Sequence, residues 1–94
     1  MKFEDLTFES DDYHNGINAH HIFDNHYGVS VIKSPYSYGG KEGKYELAII
    51  VMKPEDKYSE LCYDTPITDD VIGYLTPKGV TDIMKQVSEL PTRE

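Results

Sequence analysis

The chain has few of the features that hold secreted or membrane proteins together. Its one cysteine, Cys62, excludes a disulfide within the chain and therefore a stapled extracellular scaffold. The longest uninterrupted apolar run, residues 47–52, is far too short to cross a bilayer. The first residues show neither the basic nor the apolar segment of a signal peptide. We therefore expect a cytoplasmic protein with no membrane contact.

Positive charge is also scarce, and tryptophan is absent. Nine lysines and arginines face 17 aspartates and glutamates, for a net charge of −8. The acids concentrate in residues 1–24 and 54–70, each with a net charge of −5, whereas residues 25–53 carry +2. Phosphate backbones would be repelled by most of such a surface, which argues against direct nucleic-acid binding.

What is present is typical of a single domain, residues 1–94, with an α+β fold. Alternating and β-branched residues predict an antiparallel sheet of four to five strands, drawn from residues 2–8, 17–24, 29–33, 44–53 and 71–75. Between the second and third strands, Asn25 and Gly28 are the residues that tolerate positive φ in a hairpin turn. Thr76 and Pro77 then begin a C-terminal helix with one apolar stripe, predicted to pack on one face of the sheet.

The strand at residues 44–53 raises a question of assembly. Residues 47–52 are apolar at every position, so we expect both faces of this strand to be buried. A single helix can cover only one face of this strand, so something else must cover the second face. We favour a homodimer, in which a second subunit covers it. The alternative is that residues 2–8 and 54–70 of the same chain fold over it.

Two segments are candidate binding sites. In the glycine-rich loop, Tyr36 and Tyr38 are two residues apart and would project the same way from an extended chain, as interface anchors, with Lys41 and Lys44 beside them. The acidic segment is predicted to dock on a basic partner through Glu55, Asp56, Glu60, Asp64, Asp69 and Asp70. An ordinary hairpin and a solvated loop are the structural alternatives for the two segments.

No motif indicates catalysis, so we expect no enzyme, no catalytic residues and no cofactor. The histidines His14, His20, His21 and His26 show no spacing typical of zinc ligands, and the acids do not match a calcium loop. We therefore expect no metal site.

Four stretches resemble a family of small, uncharacterised bacteriophage-encoded proteins: FDNHYGVSV at 23–31, YGG at 38–40, YELA at 45–48 and DVIGYLT at 70–76. The resemblance spans residues 19–90. It implies an accessory protein, cytoplasmic in the host cell, that binds and inhibits or modulates a host protein, such as a nucleic-acid-binding defence complex, in the manner of an anti-CRISPR inhibitor. The alternatives are a small-ligand or nucleotide-binding protein (a sponge) that uses Lys41, Lys44, Tyr36 and Tyr38, and a virion assembly or structural component.

Overall fold

The computed structural model describes all 94 residues and confirms the α+β fold. A six-stranded antiparallel sheet carries one C-terminal α-helix. The strands are β1 (Glu9–Asp11), β2 (Gly16–Ile22), β3 (Tyr27–Lys33), β4 (Tyr45–Val51), β5 (Glu60–Leu61) and β6 (Ile72–Leu75), and the helix is α1 (Pro77–Ser88). Their order is β1-β2-β3-β4-β5, and β6 also pairs with β4.

Helix α1 begins where its capping residues predict. The Thr76 side chain accepts a hydrogen bond from the backbone N–H of Gly79, and Pro77 is the first helical residue. Val80, Met84 and Val87 are buried on the inner side of the helix. They pack against the side chains of β3 and β4 that point the same way, which are Val29, Val31, Leu47 and Ile49.

The segment at residues 2–8 is not the predicted strand. Residues Phe3–Asp5 form a 3-10 helix, and the backbone N–H of Phe3 donates to the Thr81 side chain 2.9 Å away. Phe3 and Phe8 both pack on Tyr45, with ring centres 4.9 and 5.7 Å from it. Residues an odd number apart point to opposite sides of a strand. A strand would therefore have separated the two rings from their shared contact.

Part of the 54–70 connection lies on the helix side as well. The backbone N–H of Cys62 donates to the carbonyl of Ile49 at 2.8 Å, and the Cys62 side chain is buried in the core beside α1. Ile67 packs against the same core. No element of the chain lies over the other side of the sheet, which we call the open face.

Strand β4 is buried on both sides, as predicted. On the open face Ile50 is 4% exposed and Ala48 9% exposed. The open face therefore lacks the large apolar patch from which we predicted a homodimer. The homodimer stays a prediction: light scattering at micromolar concentration distinguishes it from a single 10.8 kDa chain. A dimer formed through this acidic face should strengthen with added salt, because salt screens like charges.

The one α-helix has 12 residues and is neither long nor apolar enough to span a membrane.

Candidate functional site

Strand register fixes which side chains share the open face. Glu9 is paired with Asn18, Asn18 with Ile32, and Ile32 with Glu46, so these four residues form one row across β1 to β4. Directly paired residues point to the same side of a sheet. A second row contains His20, Ser30 and Ala48, and a third contains Ile22, Gly28, Ile50 and Leu61. The face is therefore polar at one end and apolar at the other.

The open face carries negative charge and no lysine or arginine from its strands. Glu9 and Asp11 lie on β1, and Glu46 lies on β4. The one basic residue of β3, Lys33, points to the other side, with its ammonium 5.0 Å from the centre of the Tyr45 ring. The excess of acidic residues thus produces a negative electrostatic potential on a surface that the fold leaves uncovered.

A groove of about 390 Å³ lies on the polar end of this face. Its lining residues are Asp11, His14, Ile17, Asn18, Ser30, Ile32, Ser34, Tyr36, Ser37 and Glu46. None of them is a lysine or an arginine; of the two carboxylates, Asp11 is already paired with the His14 ring, and Glu46 has no basic side chain beside it.

Hydrogen bonds to neighbouring loops hold both carboxylates in place. Asp11 accepts from the His14 ring nitrogen Nδ1 at 2.7 Å and from the His14 backbone N–H at 3.2 Å. Hydrogen bonding by the His14 ring is the main cause that lowers the pKa of Asp11 below its usual value. Glu46 Oε1 accepts from the backbone N–H of Tyr38 at 2.9 Å. Neither carboxylate forms an ion pair with a lysine or arginine.

The Asp11–His14 pair resembles the carboxylate and histidine of a hydrolase catalytic triad, but no nucleophilic hydroxyl accompanies it. In the groove the Ser37 hydroxyl donates to the Ser34 carbonyl, and the Ser34 hydroxyl accepts from the Tyr36 backbone N–H. No hydroxyl is hydrogen-bonded to the His14 ring. A nucleophile needs a base within hydrogen-bonding reach, and this arrangement does not provide one.

The two loop tyrosines do not project together. Residues 34–43 form successive turns and a short 3-10 helix (Gly40–Glu42) rather than an extended chain. Tyr36 lines the groove and is 80% exposed, whereas Tyr38 adjoins the bulge of β6 at Gly73 and is 62% exposed. Lys41 lines a separate hollow, and Lys44 precedes β4 outside both cavities. The loop therefore contributes one of its four predicted residues to the groove.

The predicted acidic segment is dispersed. Glu60 is exposed on β5 and is paired with Val51, so its side chain points away from the open face, to which its neighbour Leu61 points. Glu55 lies 4.0 Å from the ammonium of Lys53, and Asp56 accepts from the Lys53 backbone. Of the remaining acids, Asp70 accepts from the backbone N–H of Val71, Asp64 binds Arg93, and Asp69 is exposed without a side-chain hydrogen bond.

The Asp64 carboxylate is hydrogen-bonded to two other side chains. It accepts from the Cys62 thiol at 2.9 Å and from the Arg93 guanidinium at 3.1 Å. These hydrogen bonds lower the pKa of Asp64, the thiol first, while burial raises the pKa of Cys62. Arg93 also donates to the Tyr27 hydroxyl, so the carboxylate helps to fasten the C-terminal tail to the sheet.

We expect Asp64→Asn to lower the thermal midpoint at neutral pH. Because the folded-state pKa of Asp64 is lowered, its stabilising contribution is present above the unfolded-state pKa of about 3.9 and disappears as pH falls through the folded value. The two midpoints should therefore converge in acid. Asp69→Asn, which removes an exposed carboxylate without a partner, is the control. A midpoint difference for Asp64→Asn that stays constant down to pH 2 would contradict this ion-pair role.

Sequence reasoning missed Glu9, Asp11, Asn18 and Glu46 as site residues. The alternation in β2 already indicated that Asn18 and His20 share a face. Glu9, Asp11 and Glu46 could have been found only from the register of β1 and β4 in the sheet, and a single sequence does not give that register.

The histidines are placed apart. His14 pairs with Asp11, His20 lies on the open face, His21 stacks by its edge on Phe23, and the His26 ring donates to the Arg93 carbonyl. No three histidine, cysteine or acidic side chains come together in a group that would hold a metal ion.

A scan against protein-family models, a search of curated proteins and a search of solved structures each found no match to this chain.

Proposed function

We propose that this protein is a non-catalytic binding module that docks its open face on a basic surface of another protein and thereby inhibits or modulates that protein. The observation that carries the proposal is the open face itself. It is left uncovered by every element of the chain, it presents Glu9, Asp11 and Glu46, and its strands contribute no lysine or arginine. Such a field raises the association rate with a positively charged partner and disfavours negatively charged ones.

The partner we propose is a host protein that binds nucleic acid, such as a defence complex. Proteins that bind nucleic acid present lysine- and arginine-rich surfaces, because phosphate contacts supply most of their affinity. An acidic face that occupies such a surface competes with the nucleic acid for it. The resemblance of residues 19–90 to small phage proteins supports this context by analogy of class.

One exposed tyrosine and one exposed leucine supply the second kind of contact. Tyr36 stands at the edge of the groove, and Leu61, 56% exposed, lies at the apolar end of the face. Tyrosine offers a large contact area at low entropic cost, which makes it a frequent energetic centre of interfaces. The proposed interface thus combines charge at one end with apolar contact at the other.

Affinity capture from a bacterial host lysate tests the proposal when three baits are compared. The wild-type bait and a control variant, Asp69→Asn with Glu89→Gln, should retain the same host protein. The open-face variant, Glu9→Gln with Glu46→Gln, should lose it, although both variants remove two negative charges. The Glu46→Gln side chain keeps an oxygen that can accept from the Tyr38 backbone, so the fold is preserved. Equal retention by all three baits, or retention of no protein, would contradict the proposal.

A second candidate is a small anionic ligand, such as a nucleotide. A hollow of about 340 Å³ beside the groove is lined by Lys33 and Lys41 together with Asn15, Gly16, Ile17, Ser34, Pro35 and Gly40. The Lys33 ammonium lies over the Tyr45 ring, which leaves Lys41 as the lining cation without a partner. A nucleotide at 100 times its Kd would add about 2.7 kcal/mol to the free energy of unfolding. A nucleotide screen by thermal shift, repeated on Lys41→Ala, distinguishes this function from the first.

A further inference from the structure

We propose that the groove on the open face, together with Glu9 beside it, recognises two arginine side chains of one partner segment that crosses the strands. The inference rests on the proposed function and names the chemistry of the partner: a segment with two guanidinium groups at a defined separation. The row of paired residues that borders the groove has Glu9 on β1 at one end and Glu46 on β4 at the other; Asn18 and Ile32 lie between them, and Asn18, Ile32 and Glu46 line the groove.

The separation follows from the strand register. Glu9, Asn18, Ile32 and Glu46 are paired in succession, so three strand-to-strand steps separate the two glutamates. At about 4.8 Å a step, the glutamates are attached to the backbone about 14 Å apart. One guanidinium cannot bridge that distance. Two basic side chains four residues apart in an extended segment span about 13 Å and match it.

The residues between and beside the carboxylates suit arginine. Ile32 offers an apolar contact for the aliphatic part of the side chain, and Asn18 offers polar atoms beside it. Tyr36 is 80% exposed, on the loop that Glu46 holds through the Tyr38 backbone. A planar guanidinium stacks on an aromatic ring and binds a carboxylate with two parallel hydrogen bonds, whereas a lysine ammonium does neither as well.

One of the two glutamates is ordered before binding. Glu46 is already held by a hydrogen bond from the Tyr38 backbone, so little of its side-chain freedom is lost when a cation arrives. Pre-ordered groups bind more tightly because the entropic cost has been met during folding. Mobile surface carboxylates, by contrast, often contribute little to an ion pair.

Titration of the isotope-labelled protein with two synthetic peptides tests the inference by nuclear magnetic resonance. Both peptides contain two arginines among glycines and serines; in one the arginines are four residues apart and in the other they are adjacent. We expect the spaced peptide to bind about two- to fivefold more tightly, the range of one additional exposed ion pair. Amide shifts should concentrate at Asn18, Ser30 and Ile32 and spare helix α1.

Variants locate the contacts. Glu46→Gln and Glu9→Gln should each abolish the preference for the spaced peptide, Tyr36→Ala should weaken both peptides, and Asp69→Asn should change neither. A spaced-lysine peptide should bind more weakly than its arginine counterpart. Equal affinities for the two arginine peptides, or shifts confined to residues 54–70, overturn the inference. The proposed function survives that result if the open-face variant still loses its host protein, and it fails separately if that variant retains it.

Discussion

Asn25→Ala is expected to lower the free energy of unfolding by about 2–4 kcal/mol, because three backbone groups lose a hydrogen bond at once. Asn25 is only 7% exposed, in the turn between β2 and β3. Its side-chain nitrogen donates to the carbonyls of Val87 at 2.8 Å and Leu90 at 3.0 Å, and its side-chain oxygen accepts from the backbone N–H of Tyr27 at 3.1 Å. The last carbonyls of a helix have no partner within the helix, and here a distant side chain supplies one.

Urea denaturation followed by circular dichroism measures this effect. Asn18→Ala is the matched control, since the Asn18 side chain makes no hydrogen bond within the protein and its loss should cost under about 0.5 kcal/mol. Asn25→Asp should be at least as damaging as Asn25→Ala, because it places a carboxylate against two carbonyl oxygens. An Asn25→Ala protein as stable as the Asn18→Ala control would show that the side chain does not fasten the helix to the sheet.

Met84→Ala is expected to lower the free energy of unfolding by about 2–5 kcal/mol, a large part of the 5–15 kcal/mol typical of a whole domain. Met84 is 1% exposed and lies in the core with Val80 and Val87, each 0% exposed. Truncation removes apolar contact and leaves a cavity between α1 and the sheet. Lys85→Ala, on the exposed side of the same helix, should change stability by less than about 0.5 kcal/mol.

Ile83→Ala and Val87→Ala extend the same measurement along the helix. Val87 is fully buried, and Ile83 packs against the core from a half-buried position. We therefore expect both substitutions to be destabilising and Val87→Ala to leave the more enclosed cavity. Unchanged denaturation midpoints for Met84→Ala and Val87→Ala would mean that the apolar stripe of α1 is not part of the core.

Local signals in the sequence predicted the parts of the fold that depend on neighbouring residues. Thr76 and Pro77 mark the start of α1 because capping is decided within one turn. The apolar run of residues 47–52 identifies β4 because a doubly buried strand needs apolar residues on both sides. In the hairpin turn, however, the positive φ falls on His26, at 73°, and not on Asn25 or Gly28. Asn25 is engaged instead with carbonyls 62 and 65 residues away in the chain.

The candidate site depends on such long-range contacts, and it was therefore harder to predict from the sequence. Glu9 and Glu46 belong to one row only because β1, β2, β3 and β4 pair in a particular register. A shift of one residue in any strand would move its side chains to the other face. The acidic segment was found by its composition, but composition does not reveal that Asp64 binds Arg93 while Glu60 is paired with Val51 on β5.

The most direct test of the open face as a docking surface is the dissociation constant of the captured host protein at several salt concentrations. Wild type and the Asp69→Asn, Glu89→Gln control should bind alike and should weaken as salt rises, since screening acts on exposed charges beyond about 8 Å at physiological ionic strength. The Glu9→Gln, Glu46→Gln variant should bind more weakly and depend less on salt. Binding that is equally tight in all three proteins and independent of salt would contradict the proposed role of the face.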